Sequence, residues 1–161
     1  MGEQAGREVL HHLIETCHDA ERGFAAAAEQ AATPEMRSLF RDMARDHHRY
    51  AEHLLPYAQR LGGIDRHDGT AAGTLHRGWM TVRGWLAHDH DGVLLAEAGR
   101  GERFALSVYD KAVEGALPPA ARELVEAQDA AVRHAYLRLH RWRRPGARAV
   151  RGDGDGKDQE G

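Results

Sequence analysis

With 161 residues, 42% apolar, 29% charged and a mean hydropathy of −0.64, the chain is expected to form one soluble domain whose core needs no disulfide or metal staple. Its 27 Ala and 15 Leu outweigh 15 Val, Ile and Thr together and exclude an all-β fold, while no run approaches the ~20 apolar residues of a membrane span. A net charge of −3 gives no overall attraction to nucleic acid, the single cysteine, Cys17, has no internal disulfide partner, and residues 1–7 lack the apolar stretch of a signal peptide. The expectation is a cytoplasmic protein without nucleic-acid or membrane partners.

The first predicted helix covers about residues 7–31, where Leu10, Ile14, Cys17, Phe24, Ala28 and Ala31 recur at steps of three and four. The second begins at Thr33 as N-cap with Pro34 and Glu35 in the first turn, and stops at Leu61-Gly62-Gly63, a glycine C-cap. Pro56 lies inside it and is expected to kink or loosen its last turns. About 29 residues then separate Gly62 from Asp91, too many for a structureless loop, and Leu75, Trp79, Val82 and Leu86 suggest an extra short helix there. The third long helix is predicted over about 92–116, capped by Asp89 or Asp91, and the fourth over about 119–144, after the break at Leu117-Pro118-Pro119. Two hairpins joined by a connection of that length describe an all-α, ferritin-like four-helix bundle over residues 7–144 with one long crossover. Residues 145–161, with five glycines and little apolar content, read as a disordered tail. The arginines that precede it, from Arg138 on, suit a helix C-terminus.

Each helical seam passes through residues foreign to a core. Glu21 lies between Cys17 and Phe24; Asp46 and His53 fall on the line of Leu39, Met43, Tyr50 and Tyr57; Glu102 falls on the line of Leu95, Ala98, Ala105, Tyr109, Ala112 and Ala116; His134 flanks the line of Val125, Gln128, Val132, Ala135, Leu139 and Trp142. In the crossover topology Glu21, Asp46, Glu102 and His134 meet near mid-height, one per helix. Buried carboxylates repel unless protons, partners or cations neutralise them, and carboxylate with imidazole suits iron, manganese or zinc. Glu21, Asp46, His53, Glu102 and His134 are therefore the candidate metal ligands. The bland alternative is pairing with some of the 20 arginines, such as Arg22, Arg49 or Arg100. A two-iron bundle also carries Glu-x-x-His on two helices, and the instances here, Glu8 to His11 and Glu15 to His18, are both on the first. His11-His12, His47-His48 and His88-x-His90 cannot each turn both rings inward, and Cys17 reads as a small buried hydrophobe. No P-loop, G-x-S-x-G or G-x-G-x-x-G occurs, so catalysis by a nucleophile or nucleotide cofactor has no support.

The segment Leu13-Ile14-Glu15-Thr16-Cys17-His18-Asp19-Ala20-Glu21-Arg22-Gly23-Phe24, followed by Ala27-Ala28-Glu29, Leu61-Gly62-Gly63, Leu75-His76-Arg77-Gly78-Trp79, Arg100-Gly101-Glu102 with Tyr109, and Leu117-Pro118, resembles a bacterial ferritin-like family, the domain of unknown function 2383, over about residues 9–142. The resemblance implies a ferritin-like bundle and no known activity. It supports Asp19, Glu21, Asp46, Glu97 and Glu102 as polar positions of the family. The chain departs from it at Asp46, Gly99 and His53, where Glu is usual, and at Tyr136, where His is usual, with His134 two residues earlier. Two functions remain open: a protein binding iron or manganese at mid-bundle, or a non-catalytic bundle acting by association, for instance in a stress response, with a homodimer as the expected assembly.

Overall fold

A computed structural model describes residues 2–63 and 90–142. These form four helices and no strand: α1 (Gly2–Gln30), α2 (Pro34–Arg60), α3 (His90–Glu114) and α4 (Pro119–Trp142). The short helix expected around Leu75, Trp79, Val82 and Leu86, and the tail over 145–161, lie outside the described residues.

The local signals act as their chemistry dictates. Thr33 keeps an extended backbone and its hydroxyl accepts from the Met36 N–H at 3.4 Å, with Pro34 opening the helix. At the other end, Gly62 and Gly63 take φ of 106° and 82°, and their N–H groups reach the carbonyls of Gln59 and Ala58 at 3.2 and 3.0 Å. That closes α2 in the doubly bonded glycine cap, which a side chain at Gly62 would strain. Between these caps the helix continues past Pro56 to Arg60, so the expected break comes only at the glycines. α1 begins earlier than predicted, at Gly2.

Both hairpins are antiparallel, and contacts at their ends fix how they meet. At one end Gly6 faces Ala116 and Pro118, and a Cβ built on Gly6 would stand 2.7 Å from the Ala116 carbonyl oxygen. At the other, the Asp91 carboxylate accepts from the Ala32 N–H at 2.8 Å and the Thr33 hydroxyl at 3.0 Å, while His90 Nε2 donates to the Gln30 carbonyl at 2.8 Å. Asp91 thus ties the α1–α2 turn rather than capping its own helix. α3 runs antiparallel to α1 and parallel to α2, so the chain changes ends of the bundle between Gly63 and His90. This is the order of a four-helix bundle with one end-to-end crossover. α1 packs closely on α2 and α3, α3 on α4, and α4 more loosely on α2, which leaves α2 and α3 on a diagonal.

The interior divides into two apolar clusters. Leu10, Leu13, Leu54, Tyr109, Val125 and Val132 belong to one, and Phe24, Phe40, Met43, Leu94 and Leu139 to the other. The polar residues of the next section lie where the clusters meet.

Candidate functional site

On α2 the predicted seam is displaced by one residue. Past Met43 the buried positions are Ala44, His47, Ala51, Leu54 and Ala58, not Asp46, Tyr50, His53 and Tyr57. One residue rotates a helical side chain by ~100°. The observed line buries Ala51, Leu54 and Ala58 with one polar group; the predicted one would bury two, Asp46 and His53, beside two tyrosines.

His47 therefore enters the core, at 1% exposure, and meets Glu102 of α3, also at 1%, across the diagonal: Nε2 donates to Oε2 at 2.8 Å. The ring stacks on Phe24 at 5.6 Å and stands edge-on to Tyr50. Burial alone would pull the imidazole down, but the Glu102 carboxylate outweighs it, with help from the nearby Cys17, and His47 rises from 6.5 to about 10. The second ring nitrogen, Nδ1, is buried without a hydrogen-bond partner among the described residues.

Beside this pair runs a directed chain of hydrogen bonds. Tyr109 donates its single hydrogen to Gln128 Oε1 at 2.8 Å, so the Cys17 thiol, 3.1 Å from the Tyr109 oxygen, is the donor in that contact. Gln128 Nε2 in turn donates to the Tyr50 carbonyl at 3.3 Å. Burial, then the neighbouring Asp46 and Glu102 charges, pushes the Tyr50 phenol up to about 12, and burial raises Tyr109 well above its usual range. Cys17, expected as a small hydrophobe, is fully buried and also the first donor of this chain.

Of the five candidate ligands, Glu21, Asp46, Glu102 and His134 are at compatible heights, His53 lies about two turns beyond Asp46 on α2, and the five do not share one face. Glu102 is interior. Glu21 is 31% exposed, its two carboxylate oxygens held by His18 Nδ1 at 3.3 Å and by His48 Nδ1 of α2 at 3.1 Å. Asp46 pairs with Arg49 at 2.7 Å on the surface, and His53 and His134 are exposed. The expectation that Asp46, His53 and His134 face the interior is corrected: height along a helix survives an error of one residue, and facing does not. Of the arginines offered as partners, only Arg49 holds its candidate; Arg22 pairs with Asp19 and Arg100 with Glu97. Each carboxylate has its own partner, histidine for Glu21 and Glu102 and arginine for Asp46. The adjacent pair His47-His48 splits as expected, one ring in and one out.

A two-metal carboxylate centre takes a Glu from each of two helices and Glu-x-x-His from each of the other two. The four helices here offer Cys17, His47, Glu102 and Gln128 at the centre, one carboxylate in all, already bonded to the one imidazole. That donor set does not fit such a centre. Among the described residues no three His, Cys, Asp or Glu side chains stand in an ion-holding arrangement, and no described helix is long and apolar enough to cross a membrane.

A comparison with curated proteins gives no match. The pattern defining one family covers residues 7–115, which takes in α1 from Arg7, α2 and α3, and stops before α4 and Leu117-Pro118. With more than half its length matched, the chain belongs to the family described as a domain of unknown function, DUF2383.

Proposed function

We propose that this protein is a non-catalytic helical bundle that works by association, with a second copy as partner in a dimer. The observation that carries this reading is that the polar side chains at the centre are bonded to one another. His47 Nε2 is paired with Glu102, and Cys17, Tyr109 and Gln128 end on a backbone carbonyl. His47 stays charged and Tyr50 and Tyr109 stay neutral well beyond physiological pH, so these three do not exchange protons in the range a general acid or base needs. Phe104 and Leu137, 42% and 52% exposed, supply apolar anchors on α3 and α4. Light scattering on tag-free protein should give a dimer that Phe104→Ser with Leu137→Ser reduces to monomer, with no stoichiometric iron or manganese in either. A monomeric wild type, or one carrying a full equivalent of metal, overturns the reading.

A second reading is favoured by the Glu21 arrangement. One carboxylate bracketed by His18 and His48 brings two imidazoles and one carboxylate together, residue types that transition metals take, though as they stand the three are not in an ion-holding arrangement and would have to turn to share a cation. It supports divalent-metal binding in the α1–α2 groove instead of the core. Titration with manganous or zinc ion, repeated on Glu21→Gln and His48→Asn, separates this site from the other histidines of the surface.

A further inference from the structure

Near mid-height three polar contacts, two buried and one part-buried, join the α1–α2 hairpin to the α3–α4 hairpin: His47 to Glu102 at 2.8 Å, Cys17 to Tyr109 at 3.1 Å and Gln128 to the Tyr50 carbonyl at 3.3 Å. Away from these and from the Asp91 and His90 contacts at one end, the helices bury many small residues, Ala20, Ala27, Ala51, Ala98, Ala105, Ala112 and Ala121 among them. Apolar burial is non-directional, and alanines spaced by helical turns meet one another in more than one alignment. The polar contacts have no such tolerance. Sliding one hairpin by a single turn, ~5.4 Å, breaks all three together, leaves His47 and Glu102 buried without each other and takes the acceptor from Gln128 Nε2.

We propose that this polar set is a register lock, fixing the level at which the second hairpin docks on the first. It acts by penalising wrong alignments, not by stabilising the right one beyond what apolar side chains would do. Two observations point to this role. The pair crosses the diagonal between α2 and α3, where the helices do not pack closely, so it reports their relative height directly. The set also draws on all four helices, with Cys17 from α1, His47 and Tyr50 from α2, Glu102 and Tyr109 from α3 and Gln128 from α4. Buried polar groups in helical assemblies are best attested in this use, and replacing a buried ion pair by apolar residues of similar size is often neutral or stabilising.

The test replaces the pair as a unit, His47→Leu with Glu102→Leu in the full chain, and compares it with Tyr109→Phe plus Gln128→Leu. The lock predicts that the first variant keeps its helix content and a denaturation midpoint equal to or above that of the wild type, yet loses a single arrangement. Amide NMR spectra should show doubled or broadened cross-peaks, and light scattering should show species absent from the wild type. The second variant, which leaves the ion pair in place, should show the same loss more weakly. One sharp set of peaks with the wild-type oligomeric state in the first variant overturns the proposal, because apolar packing and the contacts at the hairpin ends then set the register without the pair. A first variant that is unfolded, or melts well below the wild type, overturns it too, because the pair then contributes stability rather than register.

Discussion

His47 and His48 are consecutive residues of α2, and each meets a carboxylate of another helix, yet the two contacts belong to different physical regimes. His47 and Glu102 are sealed at 1% exposure each; His48 and Glu21 stand in the α1–α2 groove with side chains 55% and 31% exposed. In the first, low dielectric makes the attraction strong and its loss costly, and the imidazole is held charged up to about 10. In the second, water screens the charges and competes for every hydrogen bond. Distance does not distinguish them, at 2.8 and 3.1 Å. Solvent does, and one residue of helix rotation decides which histidine receives it.

The largest expected effect comes from breaking the sealed pair on one side only. Glu102→Leu strands His47 and should cost about 3 kcal/mol in denaturant melts, roughly 10 °C in Tm. Adding His47→Leu should recover most of that loss. A single-variant loss under about 1 kcal/mol would place the pair in the same class as the surface one.

Next in size is the pH response. Because the native pKa of His47 is raised from 6.5 to about 10, its contribution is complete below 6.5 and is lost as pH rises through about 10. Thermal stability should therefore decline between pH 7 and 10, and the decline should disappear in the His47→Leu, Glu102→Leu variant. A flat profile in the wild type would show that the core does not hold a charged imidazole.

Gly6→Ala provides a comparison free of charge. Its Cβ would stand 2.7 Å from a backbone oxygen of Ala116, so α1 and α3 must separate at that end. A loss of about 1–3 kcal/mol is expected, insensitive to salt where an electrostatic loss is not. The smallest effect belongs to Glu21→Gln, which should change stability by no more than ~0.5–1 kcal/mol, and less at 1 M salt. A larger, salt-resistant loss would mean that the groove around His18 and His48 is drier than its exposure implies.

The fold was legible because its signals are local and redundant. Thr33-Pro34, Gly62-Gly63 and Pro118-Pro119 end helices by capping chemistry that depends on few neighbours, and the lines through Glu102 on α3 and Gln128 on α4 are the buried ones observed. The site was legible in height and not in facing. Glu21 does meet the 46–48 turn of α2 and Glu102 does reach the same level, but Asp46 was chosen where His47 is the interior residue. A signal was present: the steps Phe40, Met43, His47, Ala51, Leu54 and Ala58 contain one polar residue, a cleaner apolar line than the one through Asp46 and His53. Gln128 lay on its predicted seam without its role being visible, since its partners Tyr109 and Tyr50 come from two other helices.

The sequence by itself determined that the chain is helical, where its long helices stop, and that the second hairpin enters from the opposite end, because propensity, caps and connection length are properties of short segments. Only the tertiary structure decided which carboxylate is sealed and which is wet, and that the interior histidine closes on Glu102 instead of joining Glu21 and Asp46. Those outcomes depend on the rotation of each helix about its own axis. Rotation is settled by competition among all the faces for burial, and that competition exists only once the four helices are in contact.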